Sequence, residues 1–331
     1  MGVRVIKNFR SAIFSAVIGA LLAVPALGDA DAREFRVGTI VPAAHVWSQK
    51  AAAMGDAIKQ KSGGSHTVTL FPAGQLGDES QMVQQLQTGA LDMAFLTIAD
   101  VSNRIPAFGA LYTPFLVKNV ADAARLLKGP TARKLLDQLP QKMGVVGVGY
   151  GLATLRQMLA AAPVNSVADL AGKKMRITPF KPFRDLYSII GIAPTPMPLP
   201  DVYDALANGQ VDAIDTDTEQ ILIFRFDQRA KYLLMTNHAM FPMVGLISGR
   251  TWRQLSDSDK ELLKGSMAEA LDEILTTYVK LEPELKAKVK ATGIEVKEVG
   301  REFFPGVVEK WEKAWENEKP VIDQLRAEAA K

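Results

Sequence analysis

One nine-residue pattern occurs twice in the chain, as Leu86-x-x-Gly89-x-Leu91-Asp92-x-Ala94 and as Leu206-x-x-Gly209-x-Val211-Asp212-x-Ile214. It limits the fold more than any other feature. Each copy closes a helical stretch with glycine and opens an apolar strand at once. Glycine suits the left-handed residue that ends a helix. A junction of this kind also arises in unrelated α/β chains. Taken as a repeat, it means two similar α/β lobes, each bringing a strand end to a shared place. Ligands bind outside the carboxyl ends of such strands, and a cleft between lobes is a favoured site for a small molecule.

The remaining pattern fits that frame. Residues 34–41 alternate in polarity and read as a strand ending at Pro42. Residues 46–61 read as a helix with Trp47, Ala51, Met54 and Ile58 on its apolar face. Residues 66–71 form a second strand, and the βαβ order predicts a largely parallel sheet. Residues 79–88 and 200–208 are helical, each followed by a strand-like run, 91–97 and 211–215. Beyond Trp252 the chain turns mainly helical. Ser256 caps a periodic stretch over 257–280 that would be ~36 Å long, enough to bridge two lobes. Pro283 is expected to end or kink it. A short strand at 294–299 and one charged helix at 304–329, carrying Trp311 and Trp315, complete the chain.

Composition removes whole classes of function. With 331 residues and about 150 per domain, two domains are expected. The chain is 48% hydrophobic and 23% charged, which excludes disordered and fibrous classes. A formal net charge of +3 is too even for a nucleic-acid partner. No cysteine is present, so disulfides, thiolate metal sites and cysteine nucleophiles are excluded. A multi-histidine metal centre would need nearly all of the three histidines, His45, His66 and His238. At the front, Arg4, Lys7 and Arg10 precede an uncharged apolar run over 11–27 broken by Pro25. Ala30-Asp31-Ala32 then offers a small-x-small cleavage site, with Ala26-Leu27-Gly28 as a second. Residues 1–32 therefore read as an export signal rather than a membrane anchor.

No catalytic constellation is found, neither G-x-S-x-G, H-E-x-x-H, Walker A nor G-x-G-x-x-G. The acidic run Asp212, Asp215, Asp217, Glu219 alternates faces and lacks Ca²⁺-loop spacing, so no metal or other cofactor is expected. The arginines are more informative. Arg156 ends a glycine-bearing apolar stretch and Arg176 lies in a strand, KKMRIT. A guanidinium at a strand end facing a cleft can hold a carboxylate bidentately; two surface arginines in solvated ion pairs would read the same way.

At this point several ordered blocks together resemble the solute-binding subunit of TRAP transporters, the DctP type. They are residues 70–77 (LFPAGQLG), 85–92 (QLQTGALD), 169–176 (DLAGKKMR), 194–197 (PTPM) and 201–212, which begins with Asp201-Val202-Tyr203. The resemblance implies a two-lobed periplasmic-binding-protein fold of α/β class, with mixed sheets, a cleft between lobes and a long helix bridging both. Lobe I would comprise 33–153 plus 242–281, and lobe II 154–241 plus 282–331. It implies a periplasmic receptor, without catalytic activity, that captures an organic acid and delivers it to the small and large permease subunits. A sensory receptor, or a secreted hydrolase or lyase, is the alternative. The family's carboxylate-clamping arginine falls on Arg176 and a second ligand-facing arginine on Arg156. Thr216 replaces an asparagine of sialic-acid binders, Leu199 a phenylalanine and Thr97 a glutamate, which argues against sialic acid. Glu79, Ile40, Phe180 and Phe241 complete the expected binding set. With Leu199, Ile40 and the phenylalanines, including Phe183, the implied ligand is a small, rather apolar carboxylate.

Overall fold

The computed structural model describes residues 32–331. The export signal read over 1–32 therefore lies, but for Ala32, outside the described residues. Among the described residues eleven strands build two sheets. The first contains β1 (Arg33–Thr39), β2 (His66–Phe71), β3 (Met93–Thr97), β4 (Val145–Leu152) and β10 (Pro242–Ser248), in the order β2-β1-β3-β10-β4. The second contains β5 (Gln157–Ala160), β6 (Lys174–Ile177), β7 (Ala193–Pro196), β8 (Ala213–Thr216), β9 (Tyr232–Met235) and β11 (Glu295–Glu298), in the order β11-β9-β5-β8-β6-β7. Within each sheet parallel and antiparallel pairs mix, and β1 pairs in parallel with both β2 and β3.

The doubled pattern marks equivalent junctions, one in each sheet. Gly89 (φ 79) and Gly209 (φ 65) are both left-handed. Asp92 then turns its carboxylate to the backbone N–H of Arg36 in β1 (2.9 Å), and Asp212 turns its own to the N–H of Lys174 in β6 (2.8 Å). Each aspartate thus fixes the start of its strand to the parallel neighbour that it joins, β3 to β1 and β8 to β6. The apolar residues that follow are buried on both faces, as Met93–Thr97 and Ala213–Thr216 are throughout.

Two helical expectations change. The long helix runs over Asp257–Ala291, 35 residues, with Pro283 inside it. Pro283 is exposed, so the N–H it removes from the ladder belonged to the outer face, where water reaches the freed carbonyl. Burial of Leu285 and Val289, with ion pairs Lys286–Glu282 and Lys288–Glu284, carries the helix past it. The final helix divides into Val307–Ala314 and Lys319–Ala329. Trp315 breaks the first by stacking on Trp311 (5.1 Å between centroids) and donating to Asp185. Pro320 then sits in the first turn of the second, where its missing N–H costs nothing.

This division also moves a boundary. Residues 282–331 were expected in one lobe, yet Lys319–Ala329 returns to the lobe of the first sheet. There Arg125 donates to the carbonyls of Glu328 and Ala329, and Thr131 N–H donates to Glu328. The chain therefore passes between lobes four times: at 153–156, at 236–241, along the long helix and at 315–318. The first two passes are hydrogen-bonded to each other, Arg156 N–H to Ala239 O (2.8 Å) and His238 N–H to Arg156 O (3.3 Å).

Candidate functional site

The carboxyl ends of equivalent strands converge on one cavity of about 320 Å³ between the lobes. Ile40 and Val41 follow β1, Thr97 ends β3, Arg176 lies in β6 with Thr178 beyond it, and Gln220 follows β8. Chain turns set two further walls. Gly77 (φ 103) lets the chain swing into Asp78, which caps the helix Glu79–Thr88 through a reciprocal bond with Gln81. That places Glu79 at the first helical position, on the cavity. Leu199, in the short turn Leu199–Asp201, closes the opposite wall with Pro198 and Pro200.

Arg176 is 2% exposed and makes no ion pair with any described carboxylate. Its Nε and Nη2 donate to one carbonyl, Met197 O (3.0 and 2.9 Å), and Nη1 has only a long contact to Asp215 O (3.5 Å). Burial, and then the like charge of Arg156, pull it down to about 10. The guanidinium is thus held in place by carbonyls while its charge goes unmatched, the condition in which an incoming carboxylate gains most.

Arg156 is as buried, at 1% exposed, but already saturated. Its fork pairs with Asp215, and Nη1 with Asp217 (3.1 Å). Burial would lower the arginine; the two aspartates outweigh it and raise it. Asp215 also accepts from Tyr187 (2.6 Å) and lies 3.2 Å from His238 Nε2. Arg156 does not line the cavity. It lies 4.4 Å from the centre of the Phe241 ring, which does, so it braces the wall from behind. The expectation that Arg156 faces the ligand is revised on this geometry.

Of the other expected residues, Ile40, Glu79, Thr97, Leu199 and Phe241 line the cavity together with Arg176. Thr216 and Phe180 do not. Thr216 is buried beneath Gln220, with its hydroxyl 3.3 Å from that amide, and Phe180 packs behind Phe241 against Tyr112 and Phe183. The sequence reading missed Asp78, Asp100, Trp47, Thr178 and Gln220. Thr178 was within reach, since it stands two residues after Arg176 and shares its face. Glu79 accepts from Thr97 N–H (2.6 Å) and Oγ1–H (2.7 Å). Burial nevertheless pushes it up to about 7, with Asp100 and Asp78 adding to the rise. The acidic run scatters: Asp212 to Lys174, Asp215 and Asp217 to Arg156, Glu219 to Tyr278.

A two-lobed body with strand ends converging on a buried, unmatched guanidinium defines a solute receptor for organic anions. The chain belongs to the bacterial extracellular solute-binding protein family 7, DctP, whose profile matches residues 37–319. Members are solute-binding receptors of TRAP transporters; they are periplasmic, bind small organic acids and work with membrane permease subunits. The chain is 27% identical over 311 residues to the sialic acid-binding periplasmic protein of Vibrio cholerae, covering 93% of this chain and 97% of that one. A TRAP periplasmic solute-binding protein of Bradyrhizobium sp. in complex with galacturonate superposes with a TM-score of 0.83 at 28% identity, over 89% of this chain and 100% of that chain. The sugar acid binding protein of Advenella mimigardefordensis in complex with galactonate gives 0.84 at 25% identity, over 90% and 98%.

Proposed function

We propose that this chain is exported to the periplasm, closes on a small organic acid through Arg176, and passes it unchanged to the small and large subunits of a TRAP permease. The observation that carries the reading is the buried guanidinium of Arg176, aimed into the cavity and without a counter-carboxylate. Arg176 and Thr178 anchor the ligand carboxylate on one lobe. Glu79, Asp78 and Asp100 on the other lobe accept hydrogen bonds from the ligand's far end. That end is more polar than the apolar acid expected from Leu199, Ile40 and the phenylalanines, two of which, Phe180 and Phe183, lie outside the cavity. Hydroxylated monocarboxylates fit both ends, and the acids bound by the galacturonate and galactonate receptors are of that class.

A thermal-shift screen of organic acids tests the reading. An acid at 100 times its Kd stabilises the protein by about 2.7 kcal/mol, and Arg176→Ala cuts that stabilisation to about 1 kcal/mol or less. A binding acid whose shift is undiminished by that substitution overturns the clamp. Ligand recovered unchanged after long incubation confirms that no chemistry is done on it.

A further inference from the structure

A second buried acid stands outside the ligand clamp. Glu219 lies on the short helix Thr218–Ile223 that follows β8 in the second lobe, yet its side chain reaches residues of the first. Its Oε1 accepts from the N–H of Val46 (3.2 Å), and its Oε2 accepts from Tyr278 Oη on the long helix. His45 Nε2 lies 3.1 Å from the same Oε2. His45 Nδ1 accepts from Trp47 N–H (3.2 Å), which assigns the imidazole proton to Nε2, on the side of Glu219. Burial keeps this ring neutral, pushed down to about 3. The residues adjoining the two ends of the cluster, Trp47 and Gln220, both line the cavity.

We propose that Glu219 is a positioning residue that ties the second lobe to the first around the bound acid, and that this tie takes up a proton as the lobes come together. The inference rests on the reading that the lobes close on a ligand. The titratable groups facing Glu219 are His45, Tyr278 and Asp217; Asp217 is itself held by Arg156. No cation pairs with Glu219 among the described residues, so burial, opposed by the Tyr278 hydrogen bond and helped by Asp217, raises it from 4.5 to about 7. Separation of the lobes returns the carboxyl group to water and to its ordinary value. The closed arrangement, having the raised value, is favoured in full below pH 4.5. That advantage is lost as the pH rises to about 7 and is constant above it. The span of the two values allows a change in the closed-to-open ratio of up to about 300-fold, following the linkage relation.

The chain has no cysteine, so a single label on each lobe is straightforward. Cysteines at exposed Gln60 and Gln210 carry spin labels on the full mature protein without ligand. Pulsed EPR then reads the interlobe distance from pH 4.5 to 8. The short-distance fraction is expected to fall as pH rises to 7, by ten- to 300-fold in ratio. Glu219→Gln should hold the low-pH distribution at every pH, and Tyr278→Phe should move the midpoint upward by removing the bond that favours the ionised form. A distribution independent of pH in the wild type, or a Glu219→Gln profile that follows it, overturns the proposal. Arg176→Ala should lose ligand yet keep the distance profile, so failure of the clamp and failure of the tie are read separately.

Discussion

Arg156 and Arg176 are buried to the same depth, twenty residues apart in one chain, and they differ only in what they touch. Arg156 has two carboxylates and an aromatic face; Arg176 has two backbone carbonyls, one of them distant, and an open cavity. Burying a charge is costly unless it is paired. Arg156 offsets that cost within the protein and so belongs to the structure. Arg176 leaves it standing, and on the proposed reading an anionic ligand would remove it. Two arginines that look alike in sequence are thus sorted by their counter-ions into a brace and a receptor.

The comparison can be broken most forcibly at Arg156. Arg156→Ala strands Asp215 and Asp217 in the interior, and should destabilise the fold by about 3–5 kcal/mol in chemical denaturation. Arg176→Ala should show the opposite profile. The ligand-free protein keeps its Tm, while calorimetry with an acid from the screen finds a loss of about 2–5 kcal/mol, tens- to thousands-fold. Equal effects of the two substitutions on stability would erase the distinction. Arg176→Lys should retain the charge yet lose most of that affinity, because an ammonium cannot reproduce the planar fork.

Acidity sharpens the same contrast. Glu79 lines the same cavity as Arg176, and burial pushes it up to about 7. An anion nearby favours its protonated form, so affinity should be constant below pH 7. Above that it should decline, no more steeply than about tenfold per pH unit for one group. Glu79→Gln should flatten the profile. The smallest effect is expected at Asn103, whose exposed amide spans the lobes, donating to Pro179 O (3.1 Å) and accepting from Lys181 N–H (3.2 Å). Asn103→Ala should speed ligand release by no more than about 30-fold, as two exposed hydrogen bonds contribute about 1 kcal/mol each at most. Stopped-flow release would show it, with Tm unmoved.

Much of the fold was legible because local chemistry and global packing agreed. The helix Val46–Lys61, the strand His66–Phe71 and the helix Glu79–Thr88 have the bounds their periodicity and caps assign. Pro283 does not end the helix, because the hydrogen bond it removes faces water, a property of packing. Trp315 misled because its partner, Asp185, is 130 residues away. The site divides in the same way. The place of Arg176 on the cavity was legible from its strand. The ion pairs of Arg156 were not, since Asp215 and Asp217 lie 59 and 61 residues further on, and alternation along that strand says nothing of what stands opposite.

Four passages between the lobes have a mechanical consequence. The two short ones, bonded edge to edge at Arg156 and Ala239, form a narrow ribbon. A ribbon flexes across its plane and resists bending within it. The long helix and the connection at 315–318 join the lobes at separate points and oppose shear and twist. On the reading that the lobes open and close, connections placed apart in this way favour rotation about one axis, like a door on its post, over sliding.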